Sequence, residues 1–172
     1  MMKTVRITAA CVEPDVDRAD DLDAPRWHEA AMDTPTRKAA YGADAASAFF
    51  LWSPEGDFLF TSEEMGSSPV EFLVKEYRSF MGHAQAGDTL DVVLRDLLAD
   101  LWHLAAAYGI KLDAIPVVRI QDSMAMDLRL MLLEIRNAAH GVWADTLKGL
   151  GVTLEEIEAK AYRTFLSDCS AP

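Results

Sequence analysis

Thr89-Leu90-Asp91-Val92-Val93-Leu94-Arg95-Asp96-Leu97-Leu98-Ala99-Asp100-Leu101-Trp102-His103-Leu104-Ala105-Ala106-Ala107-Tyr108-Gly109 is the stretch that decides the fold. Leu90, Val93, Leu94, Leu97, Leu98, Leu101, Trp102, Leu104, Ala105 and Tyr108 recur in alternating steps of three and one. That spacing makes one broad apolar stripe on an α-helix, the face a bundle buries. Gly109 ends the helix, because glycine adopts the left-handed conformation that closes a last turn.

Working upstream, Ser68-Pro69-Val70-Glu71 reads as a capping box with proline at the first helical position. The helix it opens gathers Val70, Leu73, Val74, Tyr77, Phe80 and Met81 on one face. Downstream, a helix is expected from Ser123 to Lys148, bending at Gly141, with Met126, Leu130, Met131, Leu133, Ile135, Ala138 and Val142 apolar. Thr153-Leu154-Glu155-Glu156 is a second capping box and opens a last helix running through Phe165. Four striped helices with short connections make a bundle.

The N-terminal part reads differently. Thr34-Pro35 marks the start of an Ala-rich helix reaching Ser47. Phe49-Phe50-Leu51-Trp52 and Phe58-Leu59-Phe60-Thr61 flank Ser53-Pro54-Glu55-Gly56, which predicts a hairpin with Gly56 at positive φ. Val5, Ile7, Ala9 and Cys11 alternate with polar or small residues, the pattern of a half-buried strand. The expected class is therefore mainly α, a bundle of about four core helices with an extra helix and a small N-terminal antiparallel β element. Residues 1–65 form the hairpin-and-helix element and 66–172 the bundle domain.

The chain has 172 residues, 51% of them hydrophobic, and a formal net charge of −12. That apolar share lets a core form and excludes a disordered chain. The acidic balance excludes an ordinary nucleic-acid binder, which needs a basic footprint. Leu101 to Ile110, the longest apolar run, is half of the ~20 residues a membrane-spanning helix needs. The two cysteines, Cys11 and Cys169, make neither a disulfide framework nor a zinc cluster, so a cytoplasmic setting is expected. Glu13, Asp15, Asp17, Asp20, Asp21 and Asp23 face only Arg18, which predicts a solvated acidic loop that could also meet a basic partner.

No phosphate loop, nucleophile elbow or dinucleotide fingerprint occurs, so chemistry would rest on carboxylates and histidines carried by helices. Glu76 lies at the edge of its apolar stripe, between Phe72 and Phe80. Asp96, Asp100 and His103 fall at i, i+4 and i+7 on one flank of their helix. Glu134 sits mid-helix with Asn137 one turn on. Converging in a bundle interior, such carboxylates would bind Mg²⁺, which prefers oxygen ligands, and through it a substrate phosphate. The plainer reading leaves Asp96 and Asp100 facing solvent beside Arg95 or Arg129, His103 in the core, and Glu71 as a capping residue. Asp100-x-x-His103 also echoes the carboxylate–histidine spacing of di-iron bundles, but its second copy would be Asn137-x-x-His140.

From Leu73 to Ile115 the chain resembles the MazG-type all-α nucleoside triphosphate pyrophosphohydrolases. Their Glu-Glu-x-x-Glu motif is represented by Lys75-Glu76-Tyr77-Arg78-Ser79. Their Glu-x-x-Asp motif and the apolar residues after it match Leu97-Leu98-Ala99-Asp100-Leu101-Trp102-His103. The Gly-Ile-x-Leu-Asp ending stands at Gly109-Ile110-Lys111-Leu112-Asp113, and Gly151 to Ile157 resembles it again. The resemblance implies a magnesium-dependent hydrolase of a nucleoside triphosphate, with Glu76 and Asp100 as metal ligands and Asp96 or Glu134 as supplements. Ser79 and Leu97 stand where the family carries two further acids. Bundles of this kind cover apolar faces with a second subunit, so a homodimer is expected. The alternative function is a non-catalytic acidic protein that binds a basic partner surface.

Overall fold

The computed structural model describes residues 33–109 and 123–170, with 123–126 described by backbone alone. Its helices, in chain order, are α1 (Thr34–Leu51), α2 (Ser62–Met65), α3 (Pro69–Phe80), α4 (His83–Ala86), α5 (Leu90–Ala107), α6 (Ser123–His140), α7 (Ala144–Leu150) and α8 (Leu154–Ser170).

The deciding stretch is the central helix. Val93, Leu94, Leu97, Leu98, Leu101 and Leu104 of α5 are all buried, and α1, α3, α6, α7 and α8 pack around them. A helix enclosed on this many sides carries an apolar stripe wider than a two-helix contact needs, which is the pattern its sequence shows. From the other helices come Leu73 and Tyr77, then Leu128, Met131 and Ile135, then Leu147, Leu154 and Ile157. Along the α5–α8 seam, Trp102 packs on Tyr162 and Phe165, with ring centroids 5.0 and 5.9 Å apart.

Local capping holds the helix starts. Asp33, one residue before the expected Thr34, caps α1 by accepting the Thr36 amide at 2.8 Å. Ser68 accepts the Glu71 amide and donates its hydroxyl to that carboxylate. At α8 the capping box is reciprocal: Thr153 N–H donates to Glu156 at 2.9 Å, and Glu156 N–H donates back at 3.2 Å.

The hairpin is not there. Phe49, Phe50 and Leu51 are the last turn of α1, because Phe49 continues the buried stripe of Ala39, Gly42, Ala45 and Ala46. The expected turn does form: Gly56 N–H donates to Ser53 O at 3.1 Å with Gly56 at φ 80°. After it, Asp57 Oδ1 accepts the amides of Leu59 and Phe60 at 2.8 and 2.9 Å. Those bonds take donors that a ladder would need, so a side chain out-competes the strand. A single Gly56–Thr61 bridge is the only β pairing among the described residues, and Thr61 goes on to cap α2 with Glu64.

The helix expected from Ser123 to Lys148 is two helices. Trp143 N–H donates to Ala138 O at 2.8 Å, closing α6 in a turn at 141–143 before α7 restarts. α1, assigned by sequence to the N-terminal element, contributes Ala45, Ala46 and Phe49 to the same core as the other helices. The expected strand Val5 to Cys11 and the acidic run Glu13 to Asp23 lie outside the described residues. Among the described residues, no helix is long and apolar enough to cross a membrane.

Candidate functional site

The candidate site grows from a close helix crossing. Ala39, Gly42, Ala45 and Ala46 give α1 a seam of small side chains against α5. At Gly42 a Cβ would stand 2.5 Å from the carbonyl oxygen of Asp100 and 3.1 Å from Leu104 Cβ, so only glycine fits that contact. The crossing carries Lys38, one turn before Gly42, toward the polar flank of α5.

That flank holds Asp96, Asp100 and His103, as the spacing predicted, but each has a different partner. Asp100 is 2% exposed, and Tyr77 of α3 donates its hydroxyl to Asp100 Oδ2 at 2.6 Å inside the core. Burial pushes the Asp100 carboxyl up to about 7; the Tyr77 hydrogen bond and Lys38 oppose that, and Asp96 and Asp168 add to it. Burial, then the Asp100 charge, raises the Tyr77 hydroxyl far above the usual phenol range.

His103, one turn on, sets Nε2 3.1 Å from Asp168 Oδ2, and the same oxygen lies 3.3 Å from Lys38 Nζ. Burial holds the imidazole below its ordinary value despite the carboxylate, so it stays neutral near pH 7. Asp168 thus ties α8 to α1 and α5 through one carboxylate. Asp96, one turn before Asp100, accepts both Nε and a terminal nitrogen of Arg95 at 2.9 Å. His83 of α4 places Nδ1 2.7 Å from Asp88 Oδ2, with Nε2 3.6 Å from Asp96 Oδ2, beyond hydrogen-bond reach.

Glu76 is half-buried on α3 and Glu134 half-buried on α6. Among the described residues, no hydrogen bond or ion pair joins either one to Asp96 or Asp100. No group of three or more His, Cys, Asp or Glu side chains among them is placed to hold a metal ion. Magnesium on Asp100 would need that carboxyl freed from Tyr77 and ionised in a low-dielectric setting, at a cost burial has already set. Sequence reading missed Tyr77, Lys38 and Asp168 as members of this network. Tyr77 was indistinguishable from its apolar stripe-mates, and the other two meet α5 across long sequence separations that no local spacing encodes.

A second constellation lies on the segment between α1 and α2. Phe58 is 100% exposed and Leu59 65% exposed. The turn beneath them is built: the Asp57 side chain bonds two amides, Asp57 N–H donates to Phe60 O at 2.7 Å, and Phe60 packs edge-on to Phe72 at 5.2 Å. Glu55, Asp57, Glu63 and Glu64 stand exposed around this tip.

Family models, curated proteins and solved structures yield no match to this chain.

Proposed function

We propose that the chain is a non-catalytic interaction protein: a helical bundle presenting an apolar tip within acidic surroundings to a basic partner with an apolar pocket. The fully exposed Phe58 carries the reading. An unpaired large aromatic on a hydrogen-bonded turn is a preorganised anchor, and anchors of this type dominate protein interfaces. Glu55, Asp57, Glu63 and Glu64 around it favour cationic side chains on the partner and speed the encounter.

A photo-crosslinker at position 58 of the full chain, with mass spectrometry of the product, names the partner for a purified binding assay. Phe58→Ser with Leu59→Ser weakens that binding about a hundredfold, the loss of a buried anchor worth ~2–4 kcal/mol. Rising salt slows association. A partner without a basic face, or affinity unmoved by the double substitution, would overturn the reading.

The second reading is the magnesium-dependent nucleoside triphosphate pyrophosphohydrolase that the MazG resemblance implies. What favours it is that α3, bearing Glu76, packs directly on α5, bearing Asp96 and Asp100. Pyrophosphate release from a nucleotide panel with Mg²⁺ or Mn²⁺, abolished in Asp100→Ala, would select it over the first.

A further inference from the structure

In a chain carrying −12, one cavity runs against the trend. Between α5 and α8 lies an opening of about 370 Å³ lined by Arg95, Lys160, Arg163, Thr164, Ser167 and Asp168. Lys160, Arg163, Thr164 and Ser167 recur at i, i+3, i+4 and i+7, so they share one stripe of α8. Arg95 closes the site from α5.

The charges do not cancel. Asp168, the acid on the wall, is engaged by Lys38 at 3.3 Å and His103 at 3.1 Å, which draws it inward. Arg95 spends two nitrogens on Asp96, and its guanidinium keeps further N–H donors. Neither Lys160 nor Arg163 has a carboxylate within ion-pair distance among the described residues. Thr164 donates its hydroxyl to Lys160 O at 3.1 Å and still offers lone pairs to a donor. Two cations therefore face the opening with their charge unspent, beside the partly committed third.

We infer that this cavity binds the phosphoryl group of a small phosphorylated molecule, held by Arg95, Lys160 and Arg163. Guanidinium forks match phosphoryl oxygens pairwise, and lysine adds a mobile point charge. The site is a groove open to solvent, and three cations reaching it from two helices suit the higher charge of a pyrophosphate or a phosphosugar end better than a single oxyanion. The diffuse negative field of the remaining surface is screened within about 8–10 Å at ordinary ionic strength, whereas the three cations act at contact distance. This site requires no metal ion and does not depend on the partner-binding reading above.

Calorimetric titration of the full chain, metal-free in chelator, with inorganic phosphate, pyrophosphate and ATP tests it. Pyrophosphate and ATP bind, phosphate more weakly, and affinity falls with salt. Lys160→Gln with Arg163→Gln weakens pyrophosphate binding by about tenfold or more, as expected for lost charge-assisted hydrogen bonds. Lys75→Gln, on α3, leaves it unchanged. Amide shift mapping on the unsubstituted chain gives an answer free of any folding effect of the substitutions. Pyrophosphate perturbs residues 160–168 and Arg95 first. Absence of binding, binding of ATP alone, indifference to the double substitution, or perturbations centred elsewhere would each overturn the assignment.

Discussion

At position 100 a carboxyl group faces a tyrosine hydroxyl in a core built mainly of aliphatic side chains. A buried acid of this kind works against stability once it ionises. The unfolded chain releases that proton near 3.8 and the folded chain near 7, so between these values the folded state holds the extra proton. The Asp100 share of stability is therefore full below about pH 4, declines as pH rises toward about 7, and is level above it. The slope is at most about 1.4 kcal/mol per pH unit. His103 acts the opposite way: its imidazole is depressed below 6.5, so its share is full above that value and is lost as pH falls. Asp100→Asn keeps a hydrogen-bonding group at the site and removes the first slope alone. Urea denaturation of both proteins across this range should give a difference that declines from acid to neutral pH and then levels. The sequence showed that Asp96, Asp100 and His103 share a flank, because helical periodicity is local. It could not show that Tyr77, Lys38 and Asp168 would meet them, since those contacts are made by packing.

The α1–α5 crossing is the element whose cause is easiest to isolate. Gly42 lets the α1 backbone approach the carbonyl of Asp100. Gly42→Ala adds a methyl group where backbone atoms stand 2.5 and 2.9 Å away, and neither can swing aside as a side-chain tip would. Alanine is the better helix former by about 1 kcal/mol, yet the overpacking costs about 1–3 kcal/mol. A lower urea midpoint with an unchanged slope checks this outcome. The element scale is also where sequence reading divided. The cap at Ser68, the capping box at Thr153 and the stops at Gly109 and Gly151 were legible, since each is fixed within a few residues. At Ser68 the reciprocal half of the expected box is missing, because Glu71 takes the Ser68 hydroxyl instead of its amide. The aromatic run at 49–52 was not: an apolar stretch that short suits a strand or a buried helix end equally. Burial of Phe49 on the small-residue seam decided it.

For the whole molecule the dominant property is its excess of negative charge, which strains the compact state by self-repulsion. Raising salt from about 0.01 M to about 0.15 M shortens the screening length from ~30 Å to ~8 Å. The thermal midpoint read by circular dichroism should rise accordingly, and a fall would show that attractive surface pairs outweigh the repulsion. Pyrophosphate matched for ionic strength should raise it further by binding only the folded state. Net charge was open to reading from composition, and the mainly α class from the spacing of apolar residues. The placement of a basic hollow beside the final helix was not, because Arg95 and Lys160 are brought together only by the docking of α8 on α5.

That same docking packs Trp102 against both Tyr162 and Phe165. An indole on this seam is a built-in fluorophore: its emission would shift to the red if the last helix detached and water reached the ring. With Trp27, Trp52 and Trp143 replaced, detachment of that helix could be timed optically, without a dye, separately from collapse of the rest.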